Sequence, residues 1–259
     1  MNIETSNIHV TRDGAVETIT INRPEKKNAL TLSMYEALTS SLNHACEDDE
    51  VRAIILRGAG GVFTSGNDLT DFMRSPPTSV DTPVFHFLSA LLNCAKPLIA
   101  AVDGAAIGIG TTMLLHCDFV YSSARSVFQL PFIRLGLVPE AGATLLLPAL
   151  VGHPKAAELL MLGDRFDAQQ AEGFGLINGV VASEDLMMTV QERAAQLASL
   201  PPAAMRQTKA LLLSPRREAL EQVMVAEGEH FIRRLSSPET KEAFSAFFER
   251  RSPDFSRFS

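Results

Sequence analysis

The first fifty residues combine two short alternating segments with one longer helical pattern. Apolar and polar residues alternate along 8–11 and 16–21, and the Asp-Gly pair between them at 13–14 is typical of a β-hairpin turn. One helix face is predicted by apolar residues that recur every three or four positions: Leu30, Met34, Leu38, Leu42 and Ala45. The acidic run 47–50 is expected to end this helix.

Two apolar runs, 52–58 and 97–102, predict strands that are buried on both faces. Each run is followed by a glycine-containing loop, at 60–69 and at 104–110. A helix is predicted between them at about 84–94, after a proline-containing stretch. Strand, loop, helix and strand in this order indicate an α/β fold with parallel strands and crossover helices.

The second half of the chain is mostly helical in pattern, with a short extended piece at 179–181. Pro201-Pro202 is the clearest break in it. We therefore expect a core domain over 1–200 and a C-terminal helical oligomerisation region over 201–259. Four aromatic residues of that region stand at helical spacing and are expected in core or subunit contacts: Phe231, Phe244, Phe247 and Phe248.

Length and composition are those of a globular chain. Its 259 residues are 46% hydrophobic and 20% charged, which excludes a disordered chain. Lys and Arg total 23 against 30 Asp and Glu, and this net charge of −7 argues against a nucleic acid partner. The most apolar stretch, 98–115, contains Asp103 and is rich in glycine, so we expect a buried core there and no membrane span.

The cysteines and histidines predict no metal site. Cys46, Cys94 and Cys117 are far apart in sequence and form no Cys-x-x-Cys pair, which fits a reducing compartment and predicts neither a disulfide framework nor a zinc site. The six histidines do not cluster, and His116 in an apolar run is expected to be a core histidine. No targeting segment is visible, so a cytoplasmic location is expected.

The two glycine-containing loops are the candidate functional site. Glycine lets a backbone approach a ligand closely and turn its N–H groups toward it. Either loop alone is more typical of a tight turn, but 65–68 and 104–110 both follow predicted parallel strands. Two such loops can aim a pair of amide donors at one oxygen atom, as in an oxyanion hole. A dinucleotide fingerprint is excluded because Gly108-Ile109-Gly110 lacks its third glycine.

Five segments carry a family resemblance in their order along the chain: 22–30, 63–69, 96–104, 117–121 and 163–176. Over nearly its whole length the chain resembles the crotonase (enoyl-CoA hydratase/isomerase) superfamily. The resemblance implies an α/β fold in which repeated ββα units form a spiral, followed by a C-terminal helical region. It also implies a homotrimer or a dimer of trimers. The implied substrate is an acyl-CoA thioester, with no cofactor besides the coenzyme A of that substrate.

The resemblance further implies roles for particular residues. The thioester oxygen is expected to accept hydrogen bonds from the backbone amides of Asn67 and Ile109. Two positions depart from the hydratases of the superfamily, since Thr112 and Phe132 stand where those enzymes have glutamates. Neither side chain is a general base near neutral pH, so we expect inefficient hydration of a double bond.

One carboxylate remains between apolar residues just before a predicted helix: Glu140. This segment, together with 65–70, resembles the Δ3,Δ2-enoyl-CoA isomerases, especially the peroxisomal type without its added acyl-CoA-binding domain. There a glutamate at this position is the single catalytic base, so we expect Glu140 to move a proton from C2 to C4 of the acyl chain. The local sequence alone favours a simpler interpretation, a carboxylate that stabilises a helix N-terminus.

The remaining expected site residues come from the same segments. Substrate contacts are expected from Ser65, Gly66, Asp68, Leu69, Gly108, Gly110 and Phe132. Coenzyme A contacts are expected from Lys26, Lys27, Ala29 and Leu30, with Arg23 nearby, although the basic residues of this loop can equally be solvated charges. We expect Asp68 to organise its loop. Alternative functions are another crotonase reaction (enoyl-CoA hydration, thioester hydrolysis or isomerisation of a ring-derived CoA ester) and a non-catalytic acyl-CoA-binding or RNA-binding role.

Overall fold

Ten strands and eleven α-helices make up the part of the chain that the computed structural model describes, residues 3–5 and 7–258. The strands are β1 (Ile3–Thr5), β2 (Ile8–Asp13), β3 (Val16–Ile21), β4 (Ala53–Gly58), β5 (Leu98–Val102), β6 (Ala105–Ile107), β7 (Phe119–Ser123), β8 (Val127–Gln129), β9 (Arg165–Asp167) and β10 (Gly179–Val181). The helices are α1 (Leu32–Glu47), α2 (Leu69–Arg74), α3 (Pro83–Asn93), α4 (Ile109–Thr112), α5 (Ala143–Val151), α6 (His153–Leu162), α7 (Ala168–Gly173), α8 (Leu186–Ala198), α9 (Pro202–Leu213), α10 (Arg217–Leu235) and α11 (Pro238–Glu249).

Seven of the described strands form one sheet in the order β1-β2-β3-β4-β5-β7-β10. The first three strands are antiparallel, and each later neighbour in the sheet is parallel to the one before it. A second, three-stranded sheet has the order β6-β8-β9. The predicted hairpin and the predicted parallel α/β arrangement are therefore confirmed.

Strands β4 and β5 are continuous apolar runs because helices cover both faces of the sheet. Ile54 and Leu56 belong to the larger core, which also holds the apolar faces of α1 and α3. Ile55 belongs to a second core, where it meets Val190 and Ala194 of α8. Successive side chains of a strand point to opposite faces, so a strand that is covered twice has no face left for polar residues.

Helix α1 begins later than predicted, and helix α2 was not predicted. The start of each is set by a capping side chain. Helix α1 begins after Thr31, whose hydroxyl accepts from the amide of Met34. Leu30 is buried but precedes the helix and forms a parallel bridge with Asn67. The short helix α2 lies where only a loop was predicted, because Asp68 accepts from its first amides.

The most apolar stretch, 98–115, is divided among β5, β6, α4 and a short 3-10 turn. Every residue of β5 is buried inside the sheet, so the expectation of a core segment is confirmed. No helix in the described ranges is both long enough and apolar enough to cross a membrane.

Helices α9, α10 and α11 form the region beyond the predicted break, which separates α8 from α9 at Pro201. Phe231 and Phe244 are buried, as expected for core residues. Phe247 and Phe248 are 59% and 48% exposed in the single chain. Their part in subunit contacts, and the division of the chain into two functional regions, stay predictions.

Candidate active site

The loops that follow β4 and β5 lie side by side. The amide of Thr64 donates to the carbonyl of Ala105 at 2.9 Å, and the amide of Ile107 donates to the carbonyl of Thr64 at 3.1 Å. A Cβ atom at Gly110 would lie 2.7 Å from Cγ2 of Thr64. One at Gly66 would lie 2.8 Å from the carbonyl oxygen of Ile107. Glycine at these two positions therefore permits the contact, and the two loops singled out from the sequence meet.

Asn67 and Ile109 each present a backbone amide with no acceptor among the described residues. The bridge to Leu30 uses the carbonyl of Gly66 and the amide of Asp68 instead. Because neighbouring residues of an extended segment point their amides to opposite sides, the Asn67 amide faces away from this bridge. Ile109 is the first residue of α4, so its amide has no acceptor within the helix. Two free amides on adjoining loops can serve one oxyanion.

Glu140 places its carboxylate beside the same short helix. The hydroxyl of Thr112, the last residue of α4, donates a hydrogen bond to Glu140 Oε1. The other oxygen, Oε2, is buried and has no hydrogen-bond partner within the described part of the chain. The residue as a whole is 6% exposed. One oxygen is thus held in place while the other is available to take a proton.

Burial makes Glu140 a weaker acid than an ordinary glutamate. Desolvation is the largest cause, the hydrogen bond from Thr112 opposes it, and the nearby carboxylate of Glu227 adds to it. The result is a pKa of Glu140 raised to about 8. A carboxyl group with a pKa near the working pH can both accept and return a proton, which a general base that later acts as an acid requires.

Glu227 of α10, and not Glu140, is the carboxylate at the start of α5. The amides of Gly142 and Thr144 donate to Glu227 at 2.7 and 2.8 Å. Ala141 and Gly142 have positive φ angles of 63° and 72°, and this turn separates Glu140 from the helix. The interpretation of Glu140 as a helix-end carboxylate is therefore wrong, since another side chain already occupies that position.

His116 supports this turn through a hydrogen bond. Its Nε2 atom donates to the carbonyl of Ala141 at 2.7 Å. Burial lowers the pKa of His116 to about 4, so its ring is neutral at physiological pH. The expected satisfied histidine is found, but it is half-buried and lies at the edge of the core, where it fixes the backbone next to Glu140.

Tyr35 is a residue of this site that the sequence did not single out. Its hydroxyl donates a hydrogen bond to Asn67 Oδ1. This bond connects α1 to the loop 60–69 after β4, the first amide loop, which carries the Asn67 amide. Burial raises the pKa of Tyr35 well above its usual range, and the charge of Glu140 adds to this effect. The apolar periodicity of α1 shows that position 35 lies near the core-facing side, but no spacing rule connects it to a loop 32 residues further along.

The two positions where the family resemblance expects the glutamates of hydratases supply no acid. Thr112 is fully buried, and its hydroxyl is engaged with Glu140. Phe132 is buried in the larger core, just before the short turn Ile133–Leu135. The second buried carboxylate of this region, Glu227, already binds the first amides of α5.

Asp68 organises the start of α2, as expected from the sequence. It accepts from the amides of Thr70 and Asp71 at 3.0 and 3.1 Å. The guanidinium of Arg23 donates to Asp68 at 2.7 Å. Although burial opposes them, these contacts lower the pKa of Asp68. Arg23 is therefore engaged with the loop, and Leu69 follows as the first residue of α2.

The expected coenzyme A residues lie beside the first amide loop. The carbonyl of Lys27 accepts from the amide of Ser65 at 3.0 Å. Lys26 and Lys27 are exposed, Ala29 is half-buried and Leu30 is buried. Their contact with coenzyme A, like the substrate contacts of the loop residues, stays a prediction.

Comparison with known proteins matches residues 11–257 to a family described as enoyl-CoA hydratase/isomerase. The chain is 36% identical over 254 residues to a Rattus norvegicus protein named enoyl-CoA delta isomerase 2. This match covers 96% of this chain but only 65% of the length of the rat protein. It is 34% identical over 247 residues to the 1,2-epoxyphenylacetyl-CoA isomerase of Escherichia coli (strain K12), over 93% of this chain and 94% of that protein.

The solved structure of Pseudomonas aeruginosa OdaA matches with a TM-score of 0.93 and 44% sequence identity, over 95% of this chain and 100% of that chain. This likeness and the family match confirm the crotonase-type α/β fold expected from the sequence. Relatives named as hydratases match as well, at 30–34% identity. The names of the relatives therefore cover more than one reaction on an acyl-CoA.

Proposed function

This chain belongs to the enoyl-CoA hydratase/isomerase family, and we propose that it moves the double bond of a 3-enoyl-CoA thioester from C3 to C2. One observation carries the proposal. The buried carboxylate of Glu140 has a free oxygen and lies beside the short helix whose first amide, that of Ile109, is also free. The likeness to a protein named delta isomerase adds support.

The proposed reaction moves one proton within one thioester. Glu140 Oε2 takes the proton from C2, and the electrons of that C–H bond shift toward the thioester oxygen to form a dienolate. The amides of Asn67 and Ile109 donate to this oxygen, and each such donor stabilises a developing oxyanion by about 2.7–4 kcal/mol. The protonated Glu140 then gives its proton to C4, and the remaining double bond lies between C2 and C3.

Two neighbours, Thr112 and Tyr35, prepare Glu140 and Asn67 for these roles. Thr112 holds Oε1, which leaves Oε2 to face the substrate. Tyr35 holds the side chain of Asn67 and so steadies the loop that carries the first amide. A general base placed in this way contributes about 10²–10⁴-fold to the rate. No cofactor is needed, because one carboxyl group accepts and returns the proton.

Hydration of a 2-enoyl-CoA requires one group to activate water and another to protonate carbon. By the family resemblance, Thr112 and Phe132 stand where hydratases have glutamates, and neither can act as a general base near neutral pH. The single carboxyl group of Glu140 can take up a proton and return it, but it cannot activate water and protonate carbon at the same time. We therefore propose that hydration is at most a minor activity.

A second candidate is isomerisation of a ring-derived CoA ester. The 1,2-epoxyphenylacetyl-CoA isomerase of E. coli matches along 94% of its own length, whereas the rat delta isomerase matches along 65%. A base and an oxyanion hole can act on many acyl-CoA substrates, so the geometry of Glu140 and the two amides is compatible with this substrate as well.

The deciding experiment compares substrates on the unmodified protein. A panel of 3-enoyl-CoA thioesters of different chain length, in cis and trans form, is assayed by the ultraviolet absorbance of the conjugated product. The same preparation is assayed for hydration of crotonyl-CoA and for turnover of 1,2-epoxyphenylacetyl-CoA. We expect isomerisation of at least one 3-enoyl-CoA to exceed hydration by about 10²-fold or more. A hydration rate equal to the isomerisation rate, or turnover of the epoxide alone, contradicts the proposal.

Binding of the coenzyme A portion is proposed for the exposed turn beside the first amide loop, through Lys26, Lys27, Ala29 and Leu30. The two lysine side chains are exposed and can reach phosphate groups. The backbone of this turn is held against the loop by the bond from Ser65 to Lys27. The cytoplasmic location stays a prediction.

A further inference from the structure

Two cysteines that are far apart in sequence meet at the ends of two helices. Cys46 lies in the last turn of α1, and Cys94 follows the last residue of α3. Their Sγ atoms are 3.4 Å apart although 48 residues separate them, and both are free thiols. The expectation that the cysteines are far apart holds in the sequence only, because packing of α1 against α3 brings these two together.

Two lysine ammonium groups lie near this pair, and that of Lys209 also forms an ion pair with Asp118 at 2.6 Å. The ammonium group of Lys96 donates to the carbonyls of Ala45 and Asp48 at 2.7 and 2.5 Å, which places it at the end of α1. The ammonium group of Lys209 donates to the carbonyl of Lys96 at 2.8 Å. Both groups therefore lie close to the two sulfurs, where they favour a thiolate over a thiol.

The two sulfurs have unequal chemistry. The hydrogen bond with Cys94 is the largest cause of the shift that lowers the pKa of Cys46 to about 6. Burial opposes this shift, whereas nearby backbone amides and the charge of Lys209 add to it. The same hydrogen bond and burial raise the pKa of Cys94 well above its usual range. Cys46 is half-buried, whereas Cys94 is 3% exposed. Cys46 is thus the more exposed sulfur and the one that ionises more readily, and it lies next to a buried thiol.

We propose that Cys46 and Cys94 are a peroxide-sensitive modification site that closes to a disulfide between α1 and α3. The Cys46 thiolate attacks one oxygen of hydrogen peroxide, the O–O bond breaks, and the released hydroxide takes a proton to become water. The Cys94 sulfur then attacks the sulfenic acid sulfur of Cys46, and a second water leaves. The two sulfurs lose two electrons in total, and these reduce one peroxide to two waters.

Only a small movement is needed for the second step. A disulfide requires about 2.05 Å between the sulfurs, so they must approach by about 1.4 Å, which a rotation about χ1 can supply. Cys46 is eleven residues after Tyr35 on α1, about 16 Å along the helix axis. The pair is therefore separate from the Glu140 site, and the inference does not rest on the proposed isomerase function.

Cys117 serves as a control within the same chain. Burial raises the pKa of Cys117 to about 12, and the neighbouring charge of Asp118 adds to the effect. Its sulfur contacts the carbonyl of Met113 and no other thiol. A thiol with this pKa is almost entirely protonated at neutral pH and reacts slowly with peroxide.

The test counts thiols in the full chain after peroxide. The reduced protein is treated with hydrogen peroxide, unfolded, alkylated with N-ethylmaleimide and weighed by intact mass spectrometry. We expect the number of alkylated thiols to fall from three to one, with a peptide that joins the segments around Cys46 and Cys94. Dithiothreitol restores all three, and the pair reacts at least about ten times faster than Cys117. Retention of all three thiols, or a disulfide that includes Cys117, overturns the proposal.

Two variants separate the steps. Cys117→Ser still loses two thiols to one intramolecular disulfide. Cys94→Ser removes the resolving sulfur, so Cys46 stops at a sulfenic acid that dimedone traps. If peroxide leaves Cys46 of Cys94→Ser unmodified, the attacking thiolate has been assigned wrongly. If the unmodified protein forms only disulfide-linked dimers, the 3.4 Å contact is not the reacting pair.

Discussion

The two oxygens of the Glu140 carboxylate lie in different surroundings, and this difference sets how the group titrates. Oε1 accepts from Thr112, whereas Oε2 is buried without a partner among the residues described. An ionised carboxylate is poorly solvated in such a place, so the proton is held more tightly. The pKa of Glu140 is raised to about 8 by this burial, and two measurable pH dependences follow.

The first is a pH dependence of turnover. The proposed base must be ionised to take the C2 proton, so kcat/KM is expected to rise with pH and to level off above an inflection near the pKa of about 8. The measurement is kcat/KM for a 3-enoyl-CoA at a series of pH values on both sides of that inflection. An inflection in the ordinary range of glutamate, or a profile without one, contradicts the assignment of Glu140 as base.

The second is a pH dependence of stability. The folded pKa of Glu140, about 8, exceeds its ordinary value of 4.5, so the folded state binds more protons between these values. The contribution of this group is fully present below the lower value and is lost as pH rises through the upper one. Glu140→Gln cannot ionise, so its stability is expected to exceed that of the unmodified protein at pH 8 by on the order of 1–4 kcal/mol.

Urea unfolding of both proteins at acidic and at alkaline pH checks this expectation. Glu227 also has a raised pKa through burial, so the variant retains part of the pH dependence. Equal stability curves at every pH indicate that Glu140 is not held in its protonated form. This measurement needs no substrate and is independent of the reaction.

Among single residues, the sequence identifies the acidic residues and glycines of the site but not the side chains from distant elements that support them. Glu140 and Thr112 can be singled out because the family resemblance gives their positions a meaning. Tyr35 and Glu227 cannot, since Tyr35 falls within the apolar pattern of α1 and Glu227 lies on a helix that only the folded chain brings to α5. Contacts between side chains from distant elements are set by tertiary packing, which spacing rules do not contain.

At the scale of elements, the active-site geometry depends on how closely two loops approach. The parallel bridge between Thr64 and Ala106 fixes the loops after β4 and β5, and Gly110 faces the side chain of Thr64 with no room for a Cβ atom. A methyl group at 110 must displace one loop from the other. The displacement moves the amide of Ile109, which is the neighbouring residue.

We therefore expect Gly110→Ala to reduce isomerase turnover by about 10²-fold or more, as loss of one oxyanion donor does. It is also expected to lower stability by about 1–3 kcal/mol through overpacking. The matched control is Gly173→Ala. Gly173 likewise lies in a short helix without a positive φ, but a Cβ there meets nothing within 4 Å. Assays and unfolding curves of both variants check the expectation, and equal behaviour of the two contradicts it.

The elements that the sequence predicts best are those with an uninterrupted pattern. The apolar runs of β4 and β5 are unambiguous because both faces are covered, and the core-facing positions of α1 recur for three turns. Helix α2 is not predicted because its six residues are too few to show the periodic apolar pattern of a helix. Its start depends on the Asp68 cap, a signal that is weak without the structure.

At the scale of the whole molecule, apolar side chains remain on the surface of the C-terminal helices. Phe247 and Phe248 on α11 are exposed and their rings contact each other edge to face, with centroids 5.5 Å apart. Leu211 and Leu212 at the end of α9 are exposed as well. Adjacent exposed apolar residues of this kind indicate a surface that another chain covers.

We predict a homotrimer or a dimer of trimers that uses this region. Sedimentation at micromolar concentration is expected to give the mass of three or six chains, and the double change Phe247→Asp with Phe248→Asp is expected to dissociate it. Lys241→Glu on the same helix, at an exposed position, is the charge-changing control and should leave the assembly intact. A monomer of the unmodified protein contradicts the prediction.

A comparison of Glu140→Gln with the unmodified protein shows whether Glu140 is the base. Turnover of a 3-enoyl-CoA is followed by absorbance, and binding of a saturated acyl-CoA is followed by calorimetry. Glutamine keeps the size of the side chain but cannot take the proton, so turnover should fall by at least about 10²-fold while acyl-CoA affinity stays close to its original value. Glu140→Asp should keep part of the activity, because its carboxylate lies about one methylene short of C2. Turnover of Glu140→Gln near the original rate, or a loss of binding that matches the loss of turnover, contradicts the role of Glu140 as the base.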